Sequence, residues 1–154
     1  MIVIGIDPGS LVTGYGLVRQ DGSKVSCPDY GTIRIHGKTT LPKRLDIIFH
    51  NLIRVAQLYK AEAAAIESIF YSKNVRSALV IGEARGVVLL ACEQLGLPVF
   101  EYAPAQVKQA VVGRGGAGKG QVGFMIQRLL GLSDAPPEDA ADALAIALCA
   151  GRGI

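Results

Sequence analysis

The chain has 154 residues, of which 50% are hydrophobic and 19% are charged, a length and composition that suit one compact domain and exclude a disordered chain. Its 16 Lys and Arg residues against 13 Asp and Glu residues give a formal net charge of +3, which is compatible with an anionic partner. No apolar run reaches the roughly 18 residues that a membrane-spanning helix needs. We expect residues 1–154 to form a single domain.

The first 35 residues predict an antiparallel meander. Residues 2–6 are almost all β-branched, which is typical of a strand buried on both faces. A second strand is expected near residues 15–19, after which Asp21-Gly22 marks a tight hairpin turn. A third strand lies within residues 24–35, and Pro28 restricts its first half to a sheet edge.

Helices and strands then alternate along the chain. Short strands are predicted over residues 63–67 and 99–102, and helices over residues 41–59, 75–95, 105–112, 121–130 and 138–150. Strands that alternate with helices require parallel pairing through crossover connections. The predicted fold is therefore α/β, with a mixed five-stranded sheet of an antiparallel meander plus parallel strands, flanked by helices.

Carboxylates stand at the ends of two of the predicted buried strands. Asp7 follows residues 2–6 directly, and Glu67 ends the strand over residues 63–67. If these strands are parallel neighbours, their backbones lie about 4.8 Å apart, and the two carboxylates repel each other unless a cation compensates. Each acid alone is equally compatible with a structural role, Asp7 capping the Asp7-Pro8-Gly9 turn and Glu67 pairing with a cation at the sheet rim.

A third acidic feature opens the last predicted helix. Glu138 and Asp139 suit a helix N-terminus, whereas Asp142 lies one turn inside a helix that is otherwise apolar. A buried carboxylate needs a partner, and this helix offers no Lys or Arg before Arg152. Asp142 shares a face with Asp139 and nearly as well with Glu138, so the spacing does not choose between them.

Acids without matching cations predict a site for a hard divalent ion such as Mg²⁺ or Mn²⁺. Two such ions, about 3.5–4 Å apart, can clamp the attacking and leaving oxygens of a phosphodiester. His36 falls in a predicted turn and His50 on the polar side of the first helix, so neither a histidine triad nor a zinc site is expected. The three cysteines form no CxxC pair, which argues against a disulfide framework and favours a reducing cytoplasm.

Several motifs, in order through nearly the whole chain, resemble those of one known family. They are Ile4-Gly5-Ile6-Asp7-Pro8-Gly9, Glu67, Lys73-Asn74, Glu83-Ala84-Arg85-Gly86, Tyr102-Ala103-Pro104, Gln106-Val107-Lys108, Lys119-Gly120-Gln121-Val122 and Asp139-Ala140-Ala141-Asp142-Ala143-Leu144-Ala145. The chain resembles the RuvC-type Holliday-junction resolvases, which are part of the RNase H-like nuclease superfamily.

The resemblance implies a catalytic set of four metal-binding carboxylates, Asp7, Glu67, Asp139 and Asp142, and so favours Asp139 over Glu138. It implies a homodimer that nicks two opposed strands of four-way junction DNA symmetrically, in DNA recombination and repair. It also implies two Mg²⁺ ions per active site, with Mn²⁺ able to substitute, and work alongside the RuvA–RuvB branch-migration complex in the bacterial cytoplasm.

Two stretches that contain cations and no acids support a nucleic-acid partner. Residues 105–132 contain Lys108, Arg114, Lys119 and Arg128, and residues 68–82 contain Lys73 and Arg76. Such stretches suit a phosphate backbone, although a solvated helix face is the favoured interpretation for Arg128. The resemblance places Lys108 and Lys119 near the scissile phosphate and selects Phe70 for stacking on unpaired bases. The predicted DNA-binding residues are Phe70, Lys73, Arg76, Lys108, Arg114 and Lys119.

Other interpretations remain open from the residues alone. Residues 113–119 match the phosphate-loop spacing GxxxxGK, but Gly120 stands where Ser or Thr would hold Mg²⁺. Residues 7–16 resemble the first phosphate loop of actin-like ATPases, which need a second domain. A non-catalytic junction-binding module would share the basic surface but has no use for four acids. Gly82 and Gly86, four residues apart, form a strip that another helix could approach closely, either from a second subunit or on packing against the sheet.

Overall fold

The computed structural model describes residues 1–68, 74–113 and 118–152, and only the backbone of Lys119. Six strands and five helices follow one another along this part of the chain. They are β1 (Ile2–Asp7), β2 (Val12–Asp21), β3 (Lys24–Ser26), β4 (Tyr30–Arg34), α1 (Leu41–Leu58), β5 (Ala63–Glu67), α2 (Val75–Gln94), β6 (Val99–Tyr102), α3 (Pro104–Val112), α4 (Lys119–Leu129) and α5 (Glu138–Gly151). The predicted α/β class with a mixed sheet is confirmed.

The sheet runs in the order β3-β2-β1-β5-β6, and β4 also pairs with β2. Strand β1 is antiparallel to β2 and parallel to β5, and β5 is parallel to β6. The third predicted strand is two strands, β3 and β4, which pair with successive parts of β2. Pro28, which has no N–H for the ladder, lies in the interruption, so the sheet has six strands where five were expected.

The pleat of the two central strands sends the strand-end acids to one face of the sheet. In β1, Val3 packs with α3, α4 and α5, whereas Ile4 and Ile6 pack with α1 and α2. Strand β5 alternates in the same way. Because alternate residues of a strand point to the same face, Asp7 and Glu67 both leave the sheet on the side of α5.

Helix α5 lies against the sheet with almost no gap because glycines replace side chains beneath it. A Cβ built on Gly5 would lie 2.0 Å from the carbonyl oxygen of Ala143, and one on Gly16 would lie 2.5 Å from Cγ of Leu144. Real Cβ atoms do not tolerate such contacts. The glycines of β1 and β2 therefore set the height of α5 above the sheet.

On the other face, α1 and α2 cover the sheet and pack against each other. Their buried residues include Ile48 and Leu52 of α1 and Val88 and Cys92 of α2. Helix α2 is capped at its N-terminus by Asn74, whose side chain accepts hydrogen bonds from the N–H groups of Arg76 and Ser77. Among the described helices, none has the length and apolar character needed to cross a membrane.

Candidate active site

Asp7 and Glu67 occupy equivalent positions at the ends of neighbouring parallel strands. The ladder between β1 and β5 ends at the pair Ile6 and Ile66, so each carboxylate belongs to the next residue of its strand. The turn after Asp7 is held by the buried Thr13 hydroxyl, which donates to the Gly9 carbonyl oxygen at 2.7 Å. Strands β1 and β5 are therefore parallel neighbours, which was the condition for Asp7 and Glu67 to lie close together.

Helix α5 adds its carboxylates at the same place. Asp7 faces Gly14 across the β1–β2 ladder, and a Cβ built on Gly14 would lie 2.0 Å from the carbonyl oxygen of Asp139. The first turn of α5 thus rests on β2 beside Asp7, and the Asp7 and Asp139 side chains share a hydrogen bond. Asp142 follows one turn later and is half-buried, whereas Glu138 is exposed. The structure separates the two acids that spacing alone left equivalent.

The other three carboxylates act electrostatically on Asp7. Burial, and after it the nearby charges of Asp142, Asp139 and Glu67 in that order, together raise the pKa of Asp7 from 3.8 to about 7. The protonated Asp7 carboxyl can donate its hydrogen to Asp139. A cation at this position would reverse the effect, because it favours the ionised form of each carboxylate.

The donor set fits a hard divalent ion, although the side chains do not form a closed ligand shell. Within residues 1–68, 74–113 and 118–152, no group of three or more His, Cys, Asp or Glu side chains is arranged to hold a metal ion as it stands. The acids lie near enough to raise the pKa of Asp7, and carboxylate oxygens are the ligands that Mg²⁺ and Mn²⁺ prefer. The chemistry of the donor set therefore suits such an ion.

Two of the predicted DNA contacts have described side chains. Arg76 is exposed in the first turn of α2, and Lys108 is half-buried on α3, the helix that follows β6 at the same end of the sheet as Glu67. Phe70, Lys73 and Arg114 lie outside the described residues, and Lys119 is described only as the first residue of α4. Arg128, for which a solvated helix face was favoured, lies with its guanidinium 5.6 Å from the centre of the Phe124 ring.

Two features near the site were missed by the sequence reasoning. A cavity of about 380 Å³ lies between α4 and the start of α5, lined by residues that include Phe124, Pro136 and Asp142. Arg85 on α2 is buried and contacts the backbone of Glu67. The position of Arg85 within a largely apolar helix was a sign in the sequence that this charge is buried. No spacing of residues in α4 indicates the cavity.

A family model described as "Crossover junction endodeoxyribonuclease RuvC" matches residues 3–150, which is nearly the whole chain. The chain belongs to the RuvC family. The resemblance drawn from the motifs is thereby confirmed, together with the RNase H-like character of the fold. Membership in the RuvC family implies the use of a divalent metal, and the ATPase interpretations are not retained.

Relatives in the RuvC family are similar over almost their full length. The crossover junction endodeoxyribonuclease RuvC of Pelotomaculum thermopropionicum is 46% identical over 150 residues, which are 97% of this chain and 92% of the relative. That of Trichlorobacter lovleyi is 50% identical over 149 residues, 97% of this chain and 84% of the relative. A solved structure of T. thermophilus RuvC in complex with a Holliday junction substrate is 37% identical with a TM-score of 0.92, covering 99% of this chain and 96% of that chain.

Proposed function

We propose that the chain is a structure-selective endonuclease that resolves four-way DNA junctions by paired, symmetric nicks, in DNA recombination and repair. The observation that supports this best is the meeting of carboxylates from β1, β5 and α5 on one face of the sheet, where burial and the neighbouring carboxylates raise the pKa of Asp7 to about 7. Membership in a family of crossover junction endodeoxyribonucleases supplies the substrate class.

We infer that Asp7, Glu67, Asp139 and Asp142 are the catalytic residues and would hold the divalent ions, two Mg²⁺ per site with Mn²⁺ able to substitute. When bound, such ions supply the positive charge that activates a water and stabilises the leaving oxygen of a phosphodiester. Asp7 would release its proton to solvent once a bound cation compensates the charge of the cluster. Water would add to phosphorus as the bond from phosphorus to the 3′ oxygen breaks. The water would lose a proton to solvent and the 3′ oxygen would take one up, so the ends would be a 5′-phosphate and a 3′-hydroxyl.

A homodimer would supply two such sites for two opposed strands, and the outer surface of α2 supports one. We define the α2 stripe as Val75, Leu79, Gly82, Gly86 and Leu90, which recur at helical spacing. Val75 is 72% exposed, Leu79 is 62% exposed and Leu90 is 52% exposed. A Cβ at Gly82 or Gly86 would meet no atom within 4 Å. An exposed apolar stripe with room for close approach is typical of a helix that packs against a partner.

For DNA binding we propose the six residues predicted from the sequence: Phe70, Lys73, Arg76, Lys108, Arg114 and Lys119. Support comes from the described members, because Arg76 and Lys108 lie on the helices that follow β5 and β6, and these parallel strands end at the same edge of the sheet. Cations around that edge would neutralise phosphates on either side of the cut. Phe70 would stack on a base unpaired at the junction centre.

We further propose that residues 1–154 act as one RNase H-like domain and work with the RuvA–RuvB branch-migration complex in the bacterial cytoplasm. Support for a single domain is that all five helices pack on the two faces of one sheet. A reducing compartment suits the three cysteines, Cys27, Cys92 and Cys149, which are free thiols. Burial raises the pKa of each of these thiols to about 11.

The test is cleavage of a synthetic four-way junction in Mg²⁺, beside linear duplex of the same sequence. Asp7→Asn is the active-site variant, and Asp21→Asn is its matched control, because Asp21 is exposed at the opposite end of β2. We expect paired nicks in the junction only, lost in Asp7→Asn and retained in Asp21→Asn. Tight binding without cleavage in Mg²⁺ or Mn²⁺ would favour a binding module, and equal cutting of linear duplex would remove the junction from the function.

A further inference from the structure

Arg85 is an unusual residue for the interior of this fold. Within the described part of the chain, Thr13 and Arg85 are the two polar or charged residues that are buried, and the Arg85 side chain is only 10% exposed. Moving a guanidinium out of water is strongly unfavourable unless its N–H groups find acceptors. The position of those acceptors therefore indicates what the buried charge does.

The two terminal nitrogens of Arg85 reach two neighbouring strands. Nη1 donates a hydrogen bond of 2.8 Å to the backbone carbonyl oxygen of Glu67, the last residue of β5. Nη2 lies 2.8 Å from Oε2 of Glu101 on β6. The planar fork of the guanidinium suits two acceptors at once. Arg85 thus joins α2 to the ends of β5 and β6 on the face opposite α5.

The hydrogen bond to Glu67 falls where the sheet ladder stops. The pairing between β1 and β5 ends at Ile6 and Ile66, and β1 continues through Asp7 into Pro8, whose nitrogen carries no hydrogen to donate. The carbonyl of Glu67 instead receives its hydrogen from a side chain on α2. That bond fixes the peptide plane from which the Glu67 side chain leaves on the opposite face, beside Asp7.

We propose that Arg85 is a positioning residue that holds Glu67 in register with Asp7 and thereby sets the affinity of the site for divalent metal ions. This inference rests on the proposed function, because it takes Glu67 as one of the metal-holding carboxylates. Residues that orient metal ligands without touching the ion commonly change metal affinity or activity about 10–100-fold when they are replaced.

The experiment measures the dissociation constant of Mn²⁺ by calorimetry on the metal-free full-length protein, and the Mg²⁺ concentration that gives half-maximal junction cleavage. Arg85→Met removes both contacts, and Glu101→Gln is the matched control, because it removes the ion pair and leaves the bond to the Glu67 carbonyl. We expect both metal readouts to rise about 10–100-fold in Arg85→Met and to stay unchanged in Glu101→Gln. A merely structural role would lower the melting temperature and leave the Mn²⁺ constant of the folded protein unchanged.

Two further variants keep the outcome decisive. If Arg85→Met does not fold, Arg85→Lys takes its place, because lysine retains the charge but lacks the planar fork of the guanidinium. We expect a smaller but measurable rise in the Mn²⁺ dissociation constant of Arg85→Lys. In a Glu67→Gln background, Arg85→Lys should cause no additional rise, since its effect acts through Glu67. An unchanged Mn²⁺ constant in folded Arg85→Lys, or an equal rise in Glu101→Gln, would overturn the inference alone. A wild-type protein that binds no Mn²⁺, or a Glu67→Gln variant that binds it normally, would overturn the proposed metal site and this inference with it.

Discussion

Gly14→Ala tests whether the close contact between β2 and α5 holds the acids together. Gly14 pairs with Asp7 across the β1–β2 ladder, and the first turn of α5 lies directly above it. A Cβ at this position would be 2.0 Å from the carbonyl oxygen of Asp139 and 2.4 Å from its carbonyl carbon. Both atoms belong to the backbone, so no side-chain rotation can relieve the contact.

The size of the displacement follows from these distances. Ordinary van der Waals contact begins near 3.4 Å, so the start of α5 has to move by about 1.4 Å away from β2. Strand β2 cannot yield easily, because it is hydrogen-bonded to β1 on one edge and to β4 on the other. A misplacement of about 1 Å in a catalytic group can cost about 100-fold in rate, whereas overpacking typically costs about 1–3 kcal/mol of stability.

These two magnitudes separate a geometric effect from unfolding. Domains of this kind have free energies of unfolding of about 5–15 kcal/mol, so Gly14→Ala should remain folded while cleavage falls about 100-fold. The assay is single-turnover cleavage of a four-way junction in Mg²⁺, with thermal unfolding measured on the same samples. Gly37→Ala is the control, because a Cβ at Gly37 would meet no atom within 4 Å. Cleavage of Gly14→Ala at the wild-type rate would refute the reasoning, as would a loss no larger than its unfolded fraction.

Three other outcomes follow from the same geometry. The pKa of Asp7 is raised from 3.8 to about 7, so the folded state binds this proton more tightly than the unfolded state does. The free energy of unfolding of the metal-free protein should therefore fall, by up to about 4 kcal/mol, as the pH rises from about 4 to about 7. Metal-free Asp7→Asn should therefore melt at a higher temperature than wild type at pH 8, and a lower melting temperature would contradict this origin of the pKa. Leu79→Arg places a charge in the α2 stripe and should give a monomer in sedimentation at micromolar concentration that has lost paired nicking; an unchanged dimer would exclude the stripe as the interface. Lys108→Gln should weaken junction binding equally across sequences and make the negative slope of log affinity against log salt concentration shallower by about 1. Its control is Lys24→Gln, at the exposed β2–β3 hairpin, which should bind the junction as wild type does.

Much of the secondary structure could be predicted because its signals are local. Strands β5 and β6 were predicted over the residues that form them, and the four helices from α2 onward were predicted to within two residues at each end. The prediction and the structure differ at the third strand, which is divided into β3 and β4. Its break at Pro28 was marked by the missing N–H, but whether the two halves pair with β2 separately or as one strand depends on the register of β2.

The choice between Glu138 and Asp139 shows where spacing stops being informative. Both acids share a helix face with Asp142, so helical geometry alone treats them nearly alike. The structure exposes Glu138 and sets Asp139 over Gly14 beside Asp7. That distinction comes from the rotation of α5 about its own axis, which is fixed by its contact with the sheet.

The sequence alone determined that carboxylates follow buried strands and that one stands inside an apolar helix, because strand ends and helix faces are properties of consecutive residues. Only the tertiary structure decided that these acids meet. Asp7 and Glu67 became neighbours through the parallel pairing of β1 with β5, and Asp139 joined them because Gly14 leaves no side chain between β2 and α5. Arg85 reaches the Glu67 carbonyl from the opposite face of the sheet. These contacts join residues distant in the chain, and such contacts depend on how the packed layers fit together and leave no periodic pattern in the sequence.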